Sequence, residues 1–471
     1  MRHWTSDIAN HISQITNRKS KMKTNSPLEL GTENINLLLK KYAIPSIIAM
    51  TASSLYHITD SAFIGHGVNA MALSGLSITL PLMNLAAAFG SLVGLGGATL
   101  LSIRMGQRDY GSAKIILGNV LILNVIVGIL FSVVMLAFLD PVLYFFGAND
   151  EMIVYARDFM QIILFGNVLT HIYIGLNMIL RSSGHPKMAM VSIISTVLIN
   201  VMLNPLFIFG FGWGIRGSAL ATLVSQAIMF VWQLKFFSNK ENFLHIEKGI
   251  FRLKKRIASD MLTIGLSPFF MNAAACLIVI VINQGLMKHG GSHAVGAYGI
   301  VNRMALLLLM MVMGLNQGMQ PIVGYNYGAR QYERVIEVLK KTILWATLIM
   351  TIGFVVVELF PKTVASLFTT NEVLRADTIV GLRLVFFVFP LIGAQVVITN
   401  FFQSIGKSGI SIFLSLTRQL IFFLPLLLIL PEFYGVNGVW YAFPISDGMA
   451  FAISIPMLLY QLKKNKIKAM S

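Results

Sequence analysis

Cysteine is almost absent: Cys276 stands alone among 471 residues. Lying in an apolar run, it leaves no disulfide framework and no cysteine-built metal site. Charge is scarce too. Asp, Glu, Lys and Arg make up 12% of the chain, against roughly 25% in soluble domains, so this composition does not support a water-exposed globular surface. The chain also lacks a Gly-x-x-x-x-Gly-Lys-Ser/Thr loop, a His-Glu-x-x-His pair and any Ser-His-Asp arrangement, which leaves no nucleotide-binding or catalytic motif.

What remains is apolar. Hydrophobic residues form 56% of the sequence and the mean hydropathy is +0.75. A bilayer core about 30 Å thick needs roughly 20 such residues per helix. Twelve runs of that length occur, near 42–65, 77–103, 116–139, 156–180, 187–210, 215–238, 261–287, 296–325, 337–360, 380–404, 410–431 and 437–461. The expected fold is an all-α integral membrane protein of twelve transmembrane helices. The formal charge of +17 would suit nucleic acid if it were clustered, but 28 of the 36 Lys and Arg residues fall in alternate connections and the two tails. The positive-inside rule then puts both termini in the cytoplasm of a multi-pass protein of the cell inner membrane. The lipid bilayer is the expected partner, and nucleic acid is not. Residues 1–34, polar and without the apolar core of a signal peptide, read as a cytoplasmic tail.

An internal repeat appears at a spacing of 222 residues. Gly106 in Met-Gly-Gln-Arg matches Gly328 in Tyr-Gly-Ala-Arg, Phe146 and Asn149 match Phe368 and Asn371, and Arg-Ser-Ser-Gly184 matches Gln-Ser-Ile-Gly406. One residue out of step, Gly214-Ile-Arg-Gly217 matches Gly435-Val-Asn-Gly438. Six spans per half preserve orientation, so the halves are expected as pseudo-symmetric six-helix bundles, parallel copies about an axis along the membrane normal. The boundaries that follow are a tail at 1–34, an N-lobe at 35–238, a cytoplasmic linker at 239–258, a C-lobe at 259–462 and a tail at 463–471. A monomer is expected, since one chain supplies both lobes. A duplicated bundle without a nucleotide motif points to secondary transport driven by an ion gradient. A membrane-embedded enzyme or receptor is the alternative class, and the missing catalytic constellation counts against the enzyme.

Ionisable groups within spans are costly, so each needs a partner or a task. They are Asp60, Arg303, Glu358, Arg383, Arg418 and Asp447, with His57 and His171. Asp60 lies 18 residues into its span, about 27 Å along the helix. Asn200 and Asn204 reach a similar height on the fifth span and share a face by their i, i+4 spacing, and Thr222 descends to the same level. An acid among amide and hydroxyl oxygens suits a proton or a sodium ion, with no other metal or cofactor expected. The alternative is a carboxylate that only fixes helix packing. His57, one turn before Asp60, is either a proton relay or a packing contact. Arg418 and Asp447 match in depth and are expected to pair near a central cleft, together with Gln395. The run Gly94-Leu-Gly-Gly97 reads as a close helix approach, and Pro45, Pro268, Pro390 and Pro425 as bends.

Leu37-Leu-Leu-Lys-Lys-Tyr-Ala-Ile-Pro45 followed by Leu55-Tyr-His-Ile-Thr-Asp60-Ser-Ala-Phe-Ile-Gly65 resembles the start of the multidrug and toxin extrusion (MATE) family. Leu180-Arg-Ser-Ser-Gly-His-Pro186, Leu198-Ile-Asn-Val-Met-Leu-Asn-Pro205 and Phe401-Phe-Gln-Ser-Ile-Gly406 are similar to it as well. The resemblance covers roughly residues 30–462. It implies a V-shaped pair of six-helix lobes exchanging organic cations or other drug-like small molecules for protons or sodium ions. By the same resemblance Asp60 is the coupling acid, Asn200 and Thr222 are its polar partners, and Asn177 is a polar residue of that cavity. Two positions depart from the pattern: Asn204 is often an aspartate in similar transporters, and Met271 stands near a position that some branches fill with Glu. A related flippase for lipid-linked oligosaccharides or peptidoglycan precursors is the alternative reading.

Overall fold

The computed structural model describes residues 29–68, 70–369 and 371–470. Most of the expected N-terminal tail, residues 1–28, lies outside them. All regular structure among the described residues is helical. The spans are α1 (Ile35–Gly67), α2 (Ala70–Gly106), α3 (Tyr110–Ala137), α4 (Met152–Phe165 with Asn167–Ser182), α5 (Pro186–Gly210) and α6 (Gly214–Ser238). The second half repeats them as α7 (Lys255–Gly291), α8 (His293–Gly328), α9 (Tyr332–Leu359), α10 (Glu372–Phe386 with Phe389–Ser404), α11 (Ser408–Tyr434) and α12 (Val436–Met470). Twelve spans put both termini on one side, called here the terminal side.

Local sequence sets the helix ends. Asn34 caps α1 by accepting from the Asn36 amide at 2.9 Å, Asp109 caps α3 through Ser112 at 3.1 Å, and Pro186 opens α5 where its missing N–H costs nothing. The 222-residue spacing recurs in the backbone. Arg108 and Arg330 both hold φ at 60°, and Gly184 and Gly406 are both left-handed. Asn149 and Asn371 each accept from the amide three residues on, at 2.8 and 3.1 Å. The fourth span of each half is broken, by 57° in α4 and 51° in α10. In α10 the cause is Pro390, whose ring excludes a helical bond to the carbonyl of Phe386, the last residue of the first segment. Pro45 and Pro268 lie inside helices that run on.

The halves meet where α1 and α2 cross α7 and α8. A Cβ on Gly106 would sit 1.9 Å from the Tyr325 carbonyl oxygen, and one on Gly328 would sit 2.1 Å from that of Ile103. Each contact is the other moved by one repeat, so only glycine on both helices permits this crossing. Gly96 meets the Met261 carbonyl in the same way, which bears out the glycine run as a helix contact. Gln320 donates to Thr99 and Arg181 to Gln317, both across the interface. One apolar core joins the halves on the terminal side, from Leu38 and Ile179 to Met261 and Phe402. A second core, with Ile64, Phe131, Phe159 and Ile208, belongs to the first half alone on the far side.

Three boundaries differ from the expectation. Residues 29–34 are anchored, since the Leu30 carbonyl accepts from Asn326 at 2.9 Å and Arg334 at 3.2 Å. The linker ends at Lys254 and docks on α3, with Asn119 donating to the Arg252 carbonyl at 3.1 Å. The stretch 463–470 continues α12 as helix, because its lysines are good helix formers.

Candidate functional site

Three helices converge on Asp60. On α5, Asn200 and Asn204 are one turn apart, and on α6 Ser218 and Thr222 are likewise one turn apart, so each helix presents two polar groups to α1. Asp60 is 6% exposed. Its Oδ1 accepts from Ser218 Oγ at 2.6 Å and from Asn204 Nδ2 at 3.0 Å. Asn204 Nδ2 also reaches Asn200 Oδ1 at 2.7 Å, and Asn200 Nδ2 donates to Thr222 Oγ1 at 3.2 Å. A hydrogen-bonded row thus leads from the carboxylate through two amides to a hydroxyl. Among the described side chains no Lys, Arg or His forms an ion pair with Asp60. The Oδ1 of Asn204 is buried and without a partner, an acceptor open to a donor or a cation.

The row ends at a cavity of about 350 Å³ within the first half, where Thr222 forms part of the wall. Met50, Tyr173, Asn177, Arg181 and Gln226 line it too, and Gln317 of α8 closes it from the second half. Asn177 therefore belongs to the cavity wall and not to the Asp60 row. Its Nδ2 donates to the Ala189 carbonyl at 2.9 Å, and its Oδ1 accepts from Arg181 at 3.3 Å. His171 is buried with Nε2 3.0 Å from the Ala86 carbonyl. The side chain of His57 lies outside the described residues.

In the second half, Arg418 Nε donates to Asp447 Oδ1 at 2.5 Å. Asp447 is buried, and Gln395 lies beside Arg418 on a space of about 30 Å³. That space is walled by residues of α7, α10 and α11, Met271 among them. It lies within the second half. Glu358 and Arg383 pair at 3.5 Å and stay half-exposed.

Two residues of the site are not singled out by the sequence. Ser218 is one serine among many, although its place four residues before Thr222 marks it as sharing that face. Arg181 reads as a loop residue because the apolar run stops at Leu180. The helix continues to Ser182, and the guanidinium is buried.

Comparison with known proteins agrees with the fold. The MatE family model matches twice, over residues 45–206 and 268–429, one match per half. Multidrug export protein MepA of Staphylococcus haemolyticus is 25% identical over 422 residues, covering 90% of this chain and 92% of its own, and that of Staphylococcus aureus is 24% identical over 423 residues, covering 90% and 93%. Among solved structures, the MATE multidrug transporter DinF-BH is 35% identical and superposes with a TM-score of 0.85 over 92% of this chain and 96% of its own. A MATE family transporter of the MOP superfamily in an outward-facing conformation superposes at 0.88, covering 94% and 99%, with 24% identity. With the family model matching once in each six-helix half, the chain belongs to the MatE family of multidrug efflux transporters, and is a multi-pass membrane transporter and not an enzyme.

Proposed function

We propose that the protein is a secondary antiporter of the cytoplasmic membrane that exports drug-like molecules in exchange for a cation taken up at Asp60. The observation that carries this reading is a buried carboxylate with no counter-charge among the described side chains, wired by hydrogen bonds to the wall of a ligand-sized cavity. A carboxylate in that setting gains from binding a proton or a sodium ion, which removes the cost of its charge. Binding also changes the hydrogen bonds. A protonated Asp60 is a donor, and the unpartnered Asn204 Oδ1 is the acceptor beside it. Accepting that bond requires the Asn204 amide to turn, which releases Asn200 and through it Thr222. The cation is thereby read out at the cavity, and the two halves have a reason to favour a different packing. The contacts that join the halves on the terminal side support an arrangement open to the opposite face. Both termini are read as cytoplasmic from the basic residues on that side.

Reconstituted vesicles with imposed pH or sodium gradients, applied separately, test the proposal. If Asp60 alone carries the exchange, one proton is taken up per cycle, and each pH unit contributes about tenfold to the substrate accumulation ratio. Asp60→Asn, which keeps the shape and loses the charge, should insert normally and accumulate nothing. Gradient-driven accumulation by that variant at the wild-type level would reject the mechanism.

A further inference from the structure

Arg181 is 6% exposed and forms part of the wall of the 350 Å³ cavity. Its partners are both neutral amides: Gln317 Oε1 across the interface and Asn177 Oδ1 at 3.3 Å. A guanidinium carries five N–H donors, and these two bonds use two of them. No Asp or Glu lines the cavity, so among its described lining residues the one fixed charge is positive. An organic cation placed here would meet repulsion and no counter-charge. The row from Asp60 reaches the cavity only through the Thr222 hydroxyl.

We propose that this cavity binds the carboxylate group of an amphipathic organic anion or zwitterion, with Arg181 as its anchor. A guanidinium in a dry site is stabilised most by a planar oxyanion, which it can grip with two parallel bonds. The side chain is already oriented, since Asn177 holds it and is itself fixed to the Ala189 carbonyl at 2.9 Å. Met50, Met83, Ile174 and Met178 supply apolar wall for the body of the ligand, and Tyr173 adds an aromatic ring. The volume falls within the ordinary range of small-molecule sites, about 300–1,000 Å³. Gln317 belongs to the other half, so a carboxylate that competes for the guanidinium weakens a bond joining the halves, and loading the cavity bears on their separation. This last consequence rests on the antiport reading; the binding site does not.

The test is equilibrium binding to the purified full-length protein in detergent, by fluorescence anisotropy of two matched dyes. Rhodamine 110 has a free carboxylate, and rhodamine 123 is its methyl ester. Wild-type protein should bind rhodamine 110 about tenfold or more tightly, as a charge-assisted bond in a buried site implies. Arg181→Gln should bring the two affinities together, and Arg181→Lys should keep part of the preference. Gln317→Ala, which removes the competitor, should widen it. Equal binding of the two dyes by the wild type, or an unchanged preference in Arg181→Gln, would overturn the proposal. Should Arg181→Gln fail to fold, the wild-type ratio and its response to Gln317→Ala decide instead. No gradient is present, so the wild-type dye preference is read apart from any coupling at Asp60. Gradient-driven accumulation by Asp60→Asn at the wild-type level, with the wild-type dye preference intact, would remove the antiport reading alone.

Discussion

Replacing Gly106 by alanine perturbs the crossing of the two halves and almost nothing else. The added Cβ would lie 1.9 Å from the Tyr325 carbonyl oxygen, whereas ordinary contact begins at 3.4 Å, so α2 and α8 must part by about 1.5 Å at that point. The obstacle is backbone in a helix and cannot rotate away. Overpacking of this kind costs about 1–3 kcal/mol, and it is felt only in the arrangement that seals the terminal side. The equilibrium should therefore shift about 5–150-fold toward the alternative in which that side opens. Since Cys276 is the one cysteine, a Cys276→Ala background accepts spin labels at two chosen sites. Positions 151 and 372, exposed on the far side of the first and second halves, report the far-side gap by electron double resonance. The short-distance population should rise in Gly106→Ala and, by the repeat, in Gly328→Ala. Gly409→Ala, where a Cβ meets nothing within 4 Å, should leave the distribution alone. Identical distributions in all three variants would refute the idea that this crossing is the seal.

Two further outcomes follow from side-chain pairs. Asp447→Asn leaves Arg418 without its partner, so thermal stability in detergent should fall by a few kcal/mol, somewhat less than for a fully buried pair because Arg418 is 29% exposed; adding Arg418→Met should recover part of the loss. Should Arg418→Met in that background bring no recovery, the pair is not what stabilises this region. At the start of α3, bonds from Ser112, its hydroxyl first and its amide after, hold the Asp109 carboxyl below the usual carboxylate range, with Arg104 assisting. A depressed folded value means that this contribution is present above about pH 4 and is lost as pH falls through the folded value. The acid-side stability loss of Asp109→Asn should accordingly be shallower than that of the parent in a thermal-shift titration from pH 7 to pH 3.

Hydropathy made the twelve spans legible because each must bridge the same thickness of lipid, and the polar turn residues exposed the duplication. The Asp60 row was legible for a related reason: a carboxylate in a span needs partners at its own depth, and helical rise turns sequence offset into depth. Asn200, Asn204 and Thr222 could be placed by counting. Arg181 could not, because an apolar run ends where charge begins, while a helix ends where its backbone bonds end. The two criteria differ by less than a turn, enough to move a guanidinium from a loop to a cavity wall. The break in α4 was illegible as well. Its equivalent in α10 is announced by Pro390, but α4 breaks at Gly166, where Leu223 fills the space a Cβ would need.

The connection between α7 and α8 turns at Gly291, whose φ of 65° and ψ of −161° reverse the chain almost without slack. Two helices hinged so tightly at their tips cannot slide past one another like pistons; whatever tilts one drags its mate. The pair is thus a single stiff prong, and since it carries the glycines that lock against α1 and α2, movement begun at either end of the prong is delivered whole to the other.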